Sequence, residues 1–157
     1  MKNVRFFTWM AALSFASCTP GGVTPSGSAG ATPQRVVAID VNLALNKLAQ
    51  TPAGPALGFA PEVATVTVGD GVRFVNSDNT QHTASFVTGV TFPDSSPLQF
   101  TSTSPSKNVT LSSTDWSSGA IAAGASSQVF VVDKPGVYLF GCFYHYSGKM
   151  RGEIVAQ

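Results

Sequence analysis

The sequence predicts an all-β fold, a Greek-key sandwich of seven or eight short strands within residues 35–157. Short segments rich in Val, Ile, Thr and Phe indicate strands, and Gly, Pro, Asp and Ser separate them at short intervals. The two segments with helical character are too short to carry a fold. The length of the region allows one domain with a buried core.

The predicted strands begin close to residue 35. Strands are expected at 35–41 and 62–68, and the second ends in Gly69-Asp70-Gly71, a turn typical of hairpins. The next strand, 72–75, is therefore predicted to be the hairpin partner of 62–68. One or two helical turns are predicted at 43–50.

The second half of the domain continues the β pattern. A helical turn is predicted at 114–118, and residues 93–127, rich in Ser and Thr, are predicted to form a long polar crossover with at most one or two edge strands. Further strands are predicted at 83–90, 108–111, 127–132, 136–140 and 152–156.

The metal-ligating residue types are scarce and lie in a pattern. The chain has two His, two Cys and three Met. Cys142, His145 and Met150 form a Cys-x2-His-x4-Met loop after the strand 136–140, and His82 lies upstream. Two imidazoles, a thiolate and a weak axial thioether are the ligands of blue-copper electron-transfer sites. We therefore predict that these four residues hold one copper ion, Cu(I) or Cu(II).

The fold offers a way to bring these ligands together. His82 follows the strand 72–75 and its turn, whereas the other three ligands follow the strand 136–140. A Greek-key sandwich can place two such strand ends side by side. Gly148 gives the loop the backbone freedom to wrap a single ion.

This constellation resembles the cupredoxins, particularly plastocyanin and pseudoazurin. The Cys-x2-His-x4-Met loop has the same form, and the similarity extends to residues 61–76, 118–124 and 135–142. The resemblance covers most of residues 61–156 and implies a cupredoxin fold with a type 1 copper site.

Two positions depart from that pattern. Plastocyanins usually have Pro before the loop histidine, where this chain has Tyr144, and Asn after the upstream histidine, where it has Thr83. Residues at these positions help to orient the ligands, so the spectrum and potential can differ from the family norm. Tyr144 and Tyr146 flank His145, and either line an exposed electron port or pack against the domain.

Other interpretations of the cluster remain open. A lone Cys is commonly a small buried hydrophobe, and Met can fill a core. Zinc also binds Cys and His, but it prefers four strong tetrahedral ligands and Met is not a usual one. A binuclear copper domain would need a second loop cysteine, which residues 143–147 do not supply.

The predicted function is one-electron transfer outside the cytoplasm, with a monomeric head domain and redox partners such as a cytochrome or a terminal oxidase or reductase. The alternative is a copper carrier that delivers copper to an oxidase or reductase. We expect no enzymatic activity, because both histidines are committed as ligands and no Ser-His-Asp arrangement can be built.

The N-terminus predicts export. Residues 1–17 have a basic start and a short apolar run, which is typical of a signal peptide. Phe15-Ala16-Ser17-Cys18 resembles a bacterial lipobox, which implies that Cys18 is lipidated and anchors the protein to a membrane. Ordinary cleavage with a soluble product is the alternative. Residues 18–34, almost all small or polar, are predicted to be a flexible tether.

Charge excludes one class of partner. The full chain carries nine Lys or Arg and eight Asp or Glu, and loss of Lys2 and Arg5 with the signal peptide leaves a net charge near −1. Because no basic patch is present, we expect no binding to nucleic acid.

Overall fold

The computed structural model describes residues 32–45 and 47–157. The predicted signal peptide, the predicted lipid-attachment residue Cys18 and most of the predicted tether lie outside these residues. The end of the tether segment does fall within them, and the Gln34 N–H donates to the Gly69 carbonyl at 3.0 Å. Within the described part of the chain, no helix has the length and apolarity needed to cross a bilayer.

The described residues form ten strands, which are arranged as two four-stranded sheets and a small hairpin. In chain order they are β1 (Val36–Val41), β2 (Ala49–Thr51), β3 (Gly54–Ala56), β4 (Phe59–Ala60), β5 (Val63–Val66), β6 (Gly71–Asn76), β7 (Ser85–Val87), β8 (Phe130–Val131), β9 (Gly136–Gly141) and β10 (Arg151–Ala156). The helical content of the described residues is limited to 3₁₀ turns at Phe100–Thr103 and Tyr146–Gly148. The all-β sandwich prediction is confirmed.

The strand order explains how distant segments meet. One sheet has the order β4-β1-β6-β8 and the other β5-β10-β9-β7, while β2 pairs only with β3. In the second sheet β7 runs antiparallel to β9, with Ser85 opposite Gly141. The start of β7 therefore lies beside the end of β9.

The core between the sheets is dominated by aromatic rings. Phe59 and Phe74 of the first sheet make edge-to-face contacts with Phe140 of the second, with centroids 4.8 and 5.1 Å apart. Trp116 packs on Phe130 at 4.9 Å. Each such buried side chain stabilises the fold by about 1.5–3 kcal/mol, so this cluster makes a large contribution to fixing one sheet on the other.

The predicted hairpin between residues 62–68 and 72–75 is wrong. Strand β5 pairs with β10 and β6 pairs with β1 and β8, so the chain changes sheets at the turn between them. Both strands bury alternate side chains in the same core from opposite sides, including Val66 and Phe74. Asp70 fixes this corner, because its carboxylate accepts from the Thr67 N–H and is paired with Arg35.

Three local predictions are also corrected. Residues 43–44 form a turn and a strand begins at Ala49, in place of the helical turns predicted at 43–50. Residues 108–111 make only an isolated bridge between Thr110 and Val131. The predicted helical turn at 114–118 is absent, because the Trp116 carbonyl and the Ser118 N–H bond to the neighbouring β7 segment.

Candidate metal centre

The two segments that carry the candidate ligands are tied down by backbone hydrogen bonds. His82 exchanges two such bonds with Ile121, at 3.1 and 2.7 Å. The Cys142 N–H donates to the Met150 carbonyl at 2.9 Å, and the Met150 N–H donates to the His145 carbonyl at 3.3 Å. The loop from Cys142 to Met150 is thereby closed on itself at the end of β9.

The side chains of His82, Cys142 and His145 converge on one point. Cys142 Sγ lies 3.7 Å from His82 Nδ1 and 3.6 Å from His145 Nδ1, and the two Nδ1 atoms are 3.2 Å apart. The point in the plane of these three atoms that is equidistant from them lies about 2.0 Å from each, which matches zinc–imidazole bonds of about 2.0–2.1 Å and is slightly shorter than zinc–thiolate bonds of about 2.3 Å. The three donors fit one copper ion in a trigonal arrangement.

Burial differs among the three donors. His82 and Cys142 are fully buried, with 0% exposure, whereas His145 is only partly buried. Cys142 is a free thiol whose pKa is raised by burial, an effect opposed in part by the Thr83 N–H, 3.4 Å from Sγ. Burial, followed by the proximity of His82, lowers the pKa of His145. In the metal-free protein this combination favours a neutral thiol and a neutral His145 imidazole.

Met150 is fully buried against Gly58. Gly58 has φ +78°, and a Cβ at that position would lie 2.9 Å from Met150 Cγ and 3.5 Å from Sδ. Only glycine leaves room for the thioether here. The backbone of Met150 contacts both loop ligands, but its role as an axial donor stays a prediction.

A second layer of residues holds the donors in place. His82 Nε2 lies 3.0 Å from Asp78 Oδ2, on the side of the ring opposite Nδ1. Thr83 Oγ1 accepts a 2.8 Å hydrogen bond from the Phe143 N–H and so links the two ligand segments. The threonine that departs from the family pattern thus has a defined role. Sequence reasoning missed Asp78, although its position four residues before His82 in a polar turn was a signal.

The two tyrosines beside His145 have different environments. Tyr144 is 38% exposed, whereas Tyr146 is 1% exposed and lies under the Arg151 guanidinium, 5.0 Å from the ring centroid. The electron-port interpretation is therefore wrong for Tyr146, which packs inside the domain. The side chain of Tyr146 also fills the space beside Gly141, where a Cβ would lie 2.6 Å from the ring.

A two-sheet sandwich with a His, Cys, His donor set between its strand ends defines a copper-binding protein of the cupredoxin class. The family described as "Copper binding proteins, plastocyanin/azurin family" matches residues 46–157. The chain therefore belongs to the plastocyanin/azurin family, and the cofactor implied by its donor set is a single copper ion.

The solved structures that are similar to this chain include a purple cupredoxin, a plastocyanin and an amicyanin variant. A purple cupredoxin from Nitrosopumilus maritimus is 18% identical, with a TM-score of 0.48, over 76% of this chain and 98% of that one. Oxidised plastocyanin from Dryopteris crassirhizoma is 21% identical, with a TM-score of 0.46, over 77% and 100%. The reduced Cu(I) form of an amicyanin variant is 17% identical, with a TM-score of 0.46, over 78% and 82%. No curated protein matches the chain.

Proposed function

We propose that this protein is a one-electron carrier with a mononuclear type 1 copper site formed by His82, Cys142, His145 and Met150. The convergence of one sulfur and two Nδ1 atoms at 3.2 to 3.7 Å supports the proposal most directly. Copper bound there would supply the Cu(II)/Cu(I) couple. The backbone bonds around the donors keep them in one arrangement, which suits electron transfer without large rearrangement.

His145 is the proposed exit for the electron, because it is partly exposed while the other three proposed ligands are fully buried. Aromatic side chains surround this edge: Phe143 packs on Tyr144 and on Phe100, which is 78% exposed. Tyr144 in turn lies 6.3 Å from the His145 ring. An apolar surface of this kind suits brief docking of a redox protein such as a cytochrome or a terminal oxidase or reductase.

The test of the site is the visible spectrum of the protein with Cu(II). We expect an intense thiolate-to-copper charge-transfer band that Cys142→Ser abolishes. Cys18→Ser is the matched control, because it removes the other cysteine and should leave the band unchanged. Copper binding without the band in the wild-type protein would show that the site is not of type 1.

Copper delivery is the competing function, and burial argues against it. His82, Cys142 and Met150 are all fully buried, so an acceptor protein has little access to the donors. In an electron carrier the thioether tunes the potential, so Met150→Leu should raise it and Met150→Gln should lower it while the colour persists. Unchanged potentials together with at least a tenfold loss of Cu(I) affinity, about 1.4 kcal/mol, would favour delivery instead.

We further propose that the protein is exported and anchored to a bacterial membrane by a lipid on Cys18, facing the periplasm or the cell exterior. The sequence of residues 1–34 supports this part of the proposal. The full-length protein should partition into a detergent phase, and Cys18→Ala should release it or leave it unprocessed. Mass spectrometry showing an unacylated mature N-terminus would refute the anchor.

A further inference from the structure

The buried imidazole of His82 contacts a carboxylate on its far side. Asp78 Oδ2 lies 3.0 Å from His82 Nε2, and the His82 side chain is 0% exposed while that of Asp78 is 12% exposed. A contact between a fully shielded ring and a carboxylate is stronger than one at the surface, because water does not compete for the imidazole nitrogen.

This contact determines which nitrogen of the neutral ring carries its proton. An ionised carboxylate can only accept hydrogen bonds, so His82 Nε2 must carry the proton it donates. In a neutral imidazole the other nitrogen then has the free lone pair. That nitrogen, Nδ1, faces Cys142 Sγ and His145 Nδ1. The ring is therefore set in the tautomer that can bind a metal through Nδ1.

Asp78 is itself held in place by three other groups. Its Oδ2 also accepts from the Leu43 N–H at 2.8 Å, its Oδ1 accepts from the Asn79 N–H at 2.6 Å, and its own N–H donates to Asn76 Oδ1 at 2.9 Å. Together with the contact to His82, these bonds hold the Asp78 carboxylate in one orientation beside the ring. Leu43 follows β1, and the contact therefore connects the ligand to the first sheet.

We propose that Asp78 is a positioning residue of the copper site: it fixes the tautomer and orientation of His82 and biases the bound metal toward Cu(II) through its negative charge. The inference rests on the proposed function. Carboxylates that accept from a metal-bound imidazole raise the basicity of the ligand. The added charge favours the more positive oxidation state, and the reduction potential is therefore held lower than it would be with a neutral partner.

The test compares Asp78→Asn, Asp78→Ala and Asp133→Asn with the wild-type protein. The asparagine keeps an oxygen near His82 Nε2 but removes the charge, while the alanine removes both. Asp133 is a matched control, because it also accepts from a backbone N–H, that of Ser112, and from a side chain. Asp133 follows β8, which pairs with the start of β6, whereas His82 follows the end of β6. The two residues are therefore separated by roughly the length of that strand, about 20 Å.

The expected result is a change in potential that the control does not share. In Asp78→Asn the equilibrium constant for reduction of Cu(II) to Cu(I) should increase about tenfold. For a one-electron couple this raises the reduction potential by about 59 mV. Asp78→Ala should also alter the charge-transfer band, because His82 is no longer oriented. Asp133→Asn should leave potential and band at their wild-type values.

A measurement on the wild-type protein covers the case in which a variant does not fold. In the metal-free protein, where no bound ion fixes the tautomer, nitrogen–proton correlation NMR should show a proton on His82 Nε2. An unprotonated Nε2, or potentials for both Asp78 variants equal to that of Asp133→Asn, would overturn the inference. Absence of the band in the wild-type protein would instead overturn the proposed function, so the two failures are distinguishable.

Discussion

The contact between Gly58 and Met150 allows one prediction to be developed in detail. In Gly58→Ala the added Cβ would lie 2.9 Å from Met150 Cγ, 3.3 Å from Cε and 3.5 Å from Sδ. The first distance is shorter than carbon atoms tolerate, so the methionine side chain must move. Because Met150 is fully buried, it must move within a packed core.

Two costs combine in this variant. Gly58 has φ +78°, and an alanine in the left-handed region costs about 1–2 kcal/mol. Overpacking of a filled core adds about 1–3 kcal/mol. Gly124→Ala separates the two, because Gly124 has φ +73° and its Cβ would meet no atom of the described residues within 4 Å. We expect the free energy of unfolding to fall by about 2–5 kcal/mol in Gly58→Ala and by about 1–2 kcal/mol in Gly124→Ala.

The assay is denaturant unfolding of both metal-free variants, together with the spectrum and potential of their copper forms. Displacement of Met150 should change the charge-transfer band and the potential in Gly58→Ala, while Gly124→Ala retains wild-type values. Equal destabilisation of the two variants with identical spectra would refute the argument that Gly58 leaves room for the thioether.

Three further predictions concern the site and the corner of the fold. Thr83→Val should lower the free energy of unfolding by about 1–3 kcal/mol in denaturant titrations, because the Phe143 N–H loses its acceptor; a loss no larger than that of an exposed Thr→Val change would contradict this. Since burial raises the pKa of the Cys142 thiol, copper binding should release its proton, and affinity in competition assays corrected for the chelator should rise about tenfold per pH unit near neutrality. A flat pH profile would mean that the thiol is already ionised. The hydrogen bond from Thr67, followed by Arg35, lowers the pKa of Asp70 below 3.8, so the carboxylate stabilises the fold above that pH and the contribution disappears as pH falls through the lowered value. Asp70→Asn should therefore reduce the melting temperature at pH 7, and this reduction should become smaller as the pH falls below 3.8; a reduction that does not change with pH would exclude the ionic contribution.

The sequence was sufficient to predict the donor set as a hypothesis. Cys142, His145 and Met150 lie within one short loop, so their spacing limits where their side chains can go. The burial of alternate residues was also readable, because a strand places residues two apart on one face. Phe140 and Cys142 illustrate this: both lie in the main core cluster, whereas Leu139, between them and Tyr138 in the chain, packs in a separate cluster.

Which elements pair was decided by the tertiary structure. Gly69-Asp70-Gly71 is compatible with a hairpin or with a change of sheet, and the alternation on either side is the same for both. The difference depends on the pairing of β6 with β1 and of β5 with β10, which are contacts between distant parts of the chain. Local turn preferences carry no information about such pairings.

The residues that surround the ligands could be identified only from the tertiary structure. In the sequence Asp78 lies four residues before His82. Whether its carboxylate faces the His82 ring depends on the fold, because the Leu43 N–H, which follows β1, donates a hydrogen bond to the same carboxylate. Tyr146 is adjacent to His145 in sequence and still packs inside, under Arg151. Donor chemistry is a property of residue types and short spacings, which a sequence displays; the tautomer, burial and room around each donor depend on residues that only folding brings into contact.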